Sequence, residues 1–312
     1  MSDMTVRGFP HSFRVLTVRG IYRRLCLAVL IPVGFGVFHG GPALLVMVLC
    51  AAGGAVFADL TVTGLFGKTP LGVLDGRALY IGLVTAALMP TGTDPVLAVL
   101  AGMLAVLVGV WLFGGPGRYW VHPAFVGLAL TGVPLAGTEG MRESGFLISS
   151  FLPGGAIAFA ERVLFEPLGV RISPEAWDLV LGTTTPTGGA LVIGLMGPIL
   201  LGTLIIFGED LLPPVLPIAF TLAYVAGVYL FGAGTAIDAV FLTSVPFVVV
   251  FLLADPGIRP STTIGMVGFG VLAGGLAALF WITGWVGMPA AVAIFIAGMF
   301  VPVLEGLTTG RA

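Results

Sequence analysis

Three kinds of side chain interrupt an otherwise apolar chain and could carry chemistry. Carboxylates come first: Asp75 opens one apolar run, Asp238 stands near the start of another, and Asp255 ends that same run. A carboxylate at membrane depth is costly, which makes each a candidate for an ion or substrate pathway. The competing role is helix capping, which Asp-Gly at 75 and Asp-Pro at 255 both suit. The second kind is the imidazole of His122, in Trp-Val-His-Pro-Ala, expected to donate a hydrogen bond to a broken-helix carbonyl or to a ligand. His11 and His39 lie in a tail and a short turn, so no spacing suits haem or a metal, and no metal site is expected. The third kind is hydroxyl: Thr183, Thr184, Thr185 and Thr187 surround Pro186 at the mouth of an apolar run. They suit a helix N-cap or, at a helix N-terminus, a phosphate cradle. Arg259 adds a lone cation between Pro256 and Pro260. No nucleotide fingerprint, catalytic triad or paired-carboxylate hydrolase motif accompanies them, and no nucleic-acid partner is expected.

The elements that must position these residues are membrane spans. Of the 312 residues 58% are hydrophobic and only 9% charged, with a mean hydropathy of +1.13. Soluble domains are about 25% charged, so a soluble globular fold is excluded. Apolar runs near 25–39, 41–58, 77–90, 94–114, 122–136, 189–207, 211–232, 236–254, 262–283 and 286–305 suggest ten spans. The organisation expected is a basic cytoplasmic segment (1–24), a first half (25–136), an outer loop (137–188), a second half (189–306) and a tail (307–312). Within the loop, residues 145–168 mix apolar and charged side chains, as an interfacial helix does. Arg7, Arg14, Arg19, Arg23 and Arg24 precede the first run, and ten crossings put ten of the thirteen basic residues on the cytoplasmic side with both termini. Cys26 and Cys50 sit in apolar runs without a CxxC spacing and read as small core residues.

Weak internal symmetry links the two halves. LFGGPGRYWVHPAFVGLAL (112–130) and FLLADPGIRPSTTIGMVGFG (251–270) each run from an apolar helix through Gly/Pro and a lone Arg to a Pro and a further apolar helix. GKTPLGVLDGRALYIGLV (67–84) and GTTTPTGGALVIGLMG (182–197) both set a Thr-Pro turn before a Gly-containing helix. Paired interruptions of this kind are the mark of broken helices, whose freed backbone groups must face protein, water or a ligand.

FLLADPGIRPSTTIGMVGFGVLAG (251–274), LFGGPGRYWVHPAFVG (112–127) and LDGRALYIGLVTAALMP (74–90) are similar, in the same order, to stretches of a known family. It contains the RnfD proteins of Rnf electron-transport complexes and the NqrB proteins of sodium-translocating NADH:quinone oxidoreductases. The resemblance implies an all-α, ten-span fold of two related five-helix halves in a bacterial inner membrane. It also implies an FMN joined by a phosphodiester to a threonine of an SGAT-type motif on the outer face. A separate flavinyltransferase would attach it, a second, non-covalent flavin is allowed for, and the partners would be the other membrane subunits of a redox complex that pumps ions. No SGAT occurs. Thr185 matches the threonine before a proline, and Thr184 matches the spacing from an upstream acid, here Asp178. A second alignment, through WDLVLG (177–182), moves the motif to 148–155, where no threonine stands. His122 replaces the family's Asn and Arg77 its Ser. The expectation is a membrane subunit of a flavin-dependent electron-transport complex, with Thr185 or Thr184 holding FMN, His122 near a cofactor, and Asp255, Asp75 and Arg259 on an ion or substrate path. The alternative is a flavin-free solute or ion channel, or an accessory scaffold subunit, on the same fold.

Overall fold

A computed structural model describes residues 17–66, 75–132, 140–143, 184–187, 196–231, 240, 245–283 and 288–309, with backbone alone at 140–143 and 184–187. Asp238, Asp178, the interfacial segment 145–168 and the alternative motif position 148–155 lie outside the described residues.

The first helix, α1 (Val18–Gly40), begins seven residues before the apolar run that announces it. Thr17 accounts for the early start: its hydroxyl accepts from the Gly20 N–H at 3.1 Å and caps the helix. Arg19, Arg23 and Arg24 therefore ride on the helix instead of preceding it, where long stems can lie along apolar surface and carry the charge outward. Gly41 follows with φ +81°, a conformation open to glycine, and Pro42 starts α2 (Pro42–Leu65) at once. The next helices are α3 (Arg77–Leu88), α4 (Pro95–Val106) and α5 (Pro123–Thr131). After these come α6 (Met196–Gly208), α7 (Val215–Leu230), the single turn α8 (Val245–Phe247), α9 (Thr263–Ile282), α10 (Pro289–Met299) and α11 (Val301–Thr308).

Among the described residues four helical stretches are long and apolar enough to cross a bilayer: α1, α2, Pro95–Leu112 and α9. The pair α10 and α11, bent by 52°, makes a fifth if it is one span, and α3, α6 and α7 are shorter apolar helices. The chain is a polytopic, mainly helical membrane protein. Its one departure from an all-helical expectation, among the described residues, is a two-stranded antiparallel ribbon of β1 (Gly140–Glu143) and β2 (Thr184–Thr187). The threonine cluster expected to cap a helix is thus extended, in keeping with the strand preference of β-branched residues.

Two helices lose their regular winding at comparable places. α4 widens into a π-helix, Leu107–Leu112, and α8 into another, Val248–Leu252. Each then runs into one of the two Gly/Pro segments, 113–122 and 253–262, before α5 and α9 resume. The first of these segments turns through Gly114, Gly115 and Gly117, at φ +103°, +98° and +77°. Such π-turns leave carbonyls to be satisfied from outside the helix.

Close packing between helices comes from small residues, because lipid gives no hydrophobic drive to bring them together. On α2 and α4, a Cβ at Gly102 would collide with the Ala51 carbonyl oxygen, and one at Gly54 with that of Val99. On α7 and α9, a Cβ at Gly274 would collide with the Phe220 oxygen. Large side chains such as Leu49, Phe57, Leu222 and Val271 point outward to the bilayer instead. Cys26 and Cys50, on α1 and α2, are both free thiols.

A buried ion pair ties the first helices together. Asp59, in the last third of α2, lies 3.6 Å from the Arg77 guanidinium of α3 and accepts from the Trp111 indole at 2.9 Å. Arg77 also pairs with Asp75 at 3.4 Å. Asp59 and Arg77 are each nearly inaccessible, so neither can be satisfied by water once the other is removed.

Two substitution series test this packing. Gly274→Ala is expected to destabilise the detergent-solubilised protein by about 1–3 kcal/mol, while Gly275→Ala next to it, where a Cβ meets nothing within 4 Å, is neutral or stabilising by up to about 1 kcal/mol. Thermal unfolding of the two variants side by side measures the difference. Arg77→Met, which strands Asp59, is expected to cost about 3–5 kcal/mol, and the double variant Asp59→Leu/Arg77→Met to recover most of that loss in a double-mutant cycle.

Candidate functional site

Asp255 enters the structure where the second π-helix has run out. Its own N–H reaches the Leu252 carbonyl at 3.3 Å, and Pro256 follows with no N–H to give. The side chain then folds forward, and Oδ1 accepts from the Gly257 N–H at 2.9 Å, a local turn typical of aspartate. This much is the capping role legible in the sequence. It uses only part of a carboxylate that is completely buried.

Two tyrosines from distant parts of the chain supply the rest. Tyr22, in the second turn of α1, donates to Oδ1 at 3.1 Å. Tyr119, from the first Gly/Pro segment, reaches Oδ2 at 3.0 Å and Oδ1 at 3.2 Å, and the two hydroxyls lie 3.0 Å apart. Gly257 is what lets Tyr119 approach, since a Cβ there would sit 2.6 Å from its ring. The same turn of chain that donates to the carboxylate also makes room for its second donor.

His122 caps α5 instead of donating to a carbonyl, as the sequence suggests it should. Its Nδ1 accepts from the Ala124 N–H at 3.2 Å. That bond assigns the imidazole proton to Nε2, which points at Asp255 Oδ2 from 3.9 Å and has no hydrogen-bond partner among the described residues. The ring is fully enclosed, with the edge of Tyr80 against it at a centroid distance of 6.2 Å. Tyr80 in turn donates its hydroxyl to the Phe251 carbonyl in the second π-helix, satisfying a group that the irregular winding leaves open.

The other expected site residues fall elsewhere. Arg259 donates to the Leu211 carbonyl between α6 and α7 at 2.8 Å, outside ion-pair distance of the Asp255 carboxylate but near enough to attract it. Asp75 accepts from the Arg77 N–H at 2.8 Å at the start of α3 and belongs to the Arg77 and Asp59 cluster. Thr185 and Thr184 lie on β2, opposite Arg142 and Glu143 respectively. The structure therefore brings Asp255 and His122 together, keeps Arg259 near them without an ion pair, and places Asp75 in the Arg77 and Asp59 cluster.

Sequence reasoning passed over Tyr22, Tyr80 and Tyr119, the groups that complete the site. A signal was present, because the chain has only five tyrosines and three of them converge here. Asp59 was missed too, although a lone carboxylate just past the end of an apolar run is the same signal that singled out Asp255. The Asp255 centre also lies toward one end of the bundle: Tyr22 is four residues into α1, about 6 Å from its start.

Comparison with known proteins bears on the whole chain. Residues 5–312 match the model of the NQR2, RnfD, RnfE family. The D subunit of the ion-translocating oxidoreductase complex of Halorhodospira halophila is 27% identical across 95% of this chain and 91% of its own length. A protein of the same description from Methanosarcina acetivorans is 28% identical across 69% of this chain and 80% of its own. The D subunit of the proton-translocating ferredoxin:NAD(+) oxidoreductase complex of Clostridium ljungdahlii is 27% identical over 40% of this chain and 38% of its own. The match runs through both Gly/Pro segments and every residue of the Asp255 centre, and the chain belongs to the NQR2, RnfD, RnfE family.

Proposed function

We propose that this chain is a membrane subunit of an electron-transport complex in which electron flow moves an ion across the bilayer, and that the ion passes by Asp255. The observation that carries the reading is a fully buried carboxylate held by donors from α1 and both broken segments, with no Arg or Lys nitrogen within ion-pair distance among the described residues. A carboxylate needed only to cap a turn gains nothing from such burial. The names of the relatives, each a D subunit of an ion-translocating or proton-translocating oxidoreductase complex, agree with it. The other membrane subunits of that complex are the expected partners.

The topology that fits this role is ten crossings in two related halves with both termini in the cytoplasm. Two π-helices leading into two Gly/Pro segments support the related halves. Arg24 pairs with Glu209 at 3.1 Å, which puts the start of α1 and the end of α6 on one face. That face carries Arg19, Arg23 and Arg118, the side that basic residues mark as cytoplasmic.

FMN joined to Thr185 completes the proposal, with a flavinyltransferase as the enzyme that attaches it. A flavin there would supply the redox chemistry, and the protein its placement. Strand register favours Thr185 over Thr184, since a phosphate-bearing residue is better placed opposite Arg142 than opposite Glu143.

Two measurements test these parts separately. Thr185→Val is expected to abolish flavin fluorescence that survives denaturation of the full-length protein, and Thr184→Val to retain it; retention in both sinks the attachment site. In the assembled complex in proteoliposomes, Asp255→Asn is expected to lower electron-driven ion uptake about tenfold or more while flavin loading is kept. Unchanged uptake would remove Asp255 from the ion path.

A further inference from the structure

We infer that the Asp255 centre takes a proton and not an alkali cation, with His122 as the positioning residue that holds the carboxylate ionised between proton loadings. The inference rests on the ion-path reading above and names the ion. It follows from the kind of groups that surround the carboxylate. Every one that reaches it is a hydrogen-bond donor: the Gly257 N–H and the Tyr22 hydroxyl at Oδ1, and the Tyr119 hydroxyl at both oxygens. The remaining approach, to Oδ2, is faced by a fourth donor, His122 Nε2.

A metal cation binds to lone pairs, and hard cations take six or more oxygen ligands. Here the lone pairs of Asp255 are already engaged, and the unengaged direction meets an N–H. A proton needs only one oxygen. When Oδ2 is ionised, a small movement of the imidazole closes the 3.9 Å separation to a hydrogen bond; when Oδ2 is protonated, O–H and N–H oppose each other and the separation is kept. In the transfer, a hydronium ion gives its proton to Oδ2 and leaves as water while the O–H bond forms; on unloading that bond breaks and the proton passes to a second water molecule, which leaves as hydronium. His122 stays neutral throughout, because protonating Nδ1 would break its bond with the Ala124 N–H.

The other titratable and charged groups around the centre leave this assignment intact. Tyr22 and Cys26 come from α1, and the Cys26 thiol is turned to the Gly76 carbonyl. From α3 come Tyr80, bonded to Phe251, and Arg77, bonded to Asp59 and Asp75. Tyr119 and His122 come from the first Gly/Pro segment, and Arg259 from the second, where it is engaged with Leu211. α10, packed against α5 and the second π-helix, has no titratable side chain. Both nearby guanidinium groups thus have their hydrogen bonds or ion pairs elsewhere; Arg259 attracts the Asp255 charge from beyond ion-pair distance, and no described Arg or Lys nitrogen pairs with it.

Infrared difference spectroscopy of the purified full-length protein in lipid nanodiscs tests this. Lowering the pH is expected to raise a protonated-carboxyl C=O band that is absent in Asp255→Asn, with the same midpoint in sodium as in potassium or choline. His122→Asn keeps a side chain able to cap α5 but removes Nε2, so the band is expected to appear at a pH higher by about one unit. Tyr119→Phe, which removes another donor, is expected to move it the same way and serves as the second variant. A midpoint that falls with each tenfold rise in sodium overturns the proton assignment while leaving Asp255 on an ion path. An unmoved midpoint in His122→Asn and Tyr119→Phe overturns the role of the donor shell. No Asp255 band at any pH, with no response to sodium, overturns the inference together with the reading it rests on.

Discussion

A carboxylate buried inside a membrane protein has to be satisfied by its surroundings, and at Asp255 that requirement joins parts of the chain that nothing else would bring together. Tyr22 is 233 residues away in sequence and Tyr119 136 residues away, yet both hydroxyls reach the same side chain. Lipid offers no hydrogen bonds, so losing either donor would leave an oxygen poorly served at a cost far above that of the same loss in water. The positions of α1 and the two Gly/Pro segments are therefore mutually constrained. Each must present its donor to one point about 6 Å in from the start of α1.

Such convergence is possible only if backbones come close, and the distribution of small residues shows how that is arranged. Gly257 clears the face of Tyr119, Gly109 clears Pro123, and Gly298 sits against the Trp120 carbonyl. These contacts tie the first Gly/Pro segment to the second segment and to α10, and the first π-helix to α5. The irregular winding plays a matching part. Widening at Val248–Leu252 presents the Phe251 carbonyl to Tyr80, whose ring in turn walls in His122. Small residues, π-turns and tyrosines act as one device that encloses a polar point without leaving backbone groups open to lipid.

How much of this was legible in the sequence follows from the range of each signal. Asp255, His122 and the broken segments stand out locally, as polar or Gly/Pro residues inside apolar runs. The family resemblance rests on the same stretches. The beginnings of helices were harder, because Thr17 moves α1 upstream through a single side-chain bond that hydropathy does not register. The strand at Thr184–Thr187 was hidden by a Thr-Pro pattern that suits a helix start equally well. Partners were the least legible: an apolar helix with one tyrosine reads as ordinary core until the fold shows what its hydroxyl touches. The hydrogen-bond partner of Arg259 was hidden for the same reason, since the Leu211 carbonyl belongs to a turn 48 residues away.

Asp59 and Asp255, two acids buried in the same bundle, make the most informative contrast. Asp59 has a guanidinium at 3.6 Å and an indole N–H at 2.9 Å, and its charge is neutralised by a partner that cannot leave. Moving Arg77 would leave the buried Asp59 without its cation, so the pair holds α2 and α3 in register. Asp255 has donors and, among the described residues, no Arg or Lys nitrogen within ion-pair distance. Its charge is spread over hydroxyls and an amide that serve a carboxylate well and a carboxylic acid only a little less well, because a tyrosine can give up one acceptor and turn to its neighbour 3.0 Å away. One acid is therefore held by a guanidinium and the other by hydrogen-bond donors. That difference, visible only in the partners, separates the acid that pairs two helices from the acid on which three distant stretches of chain converge.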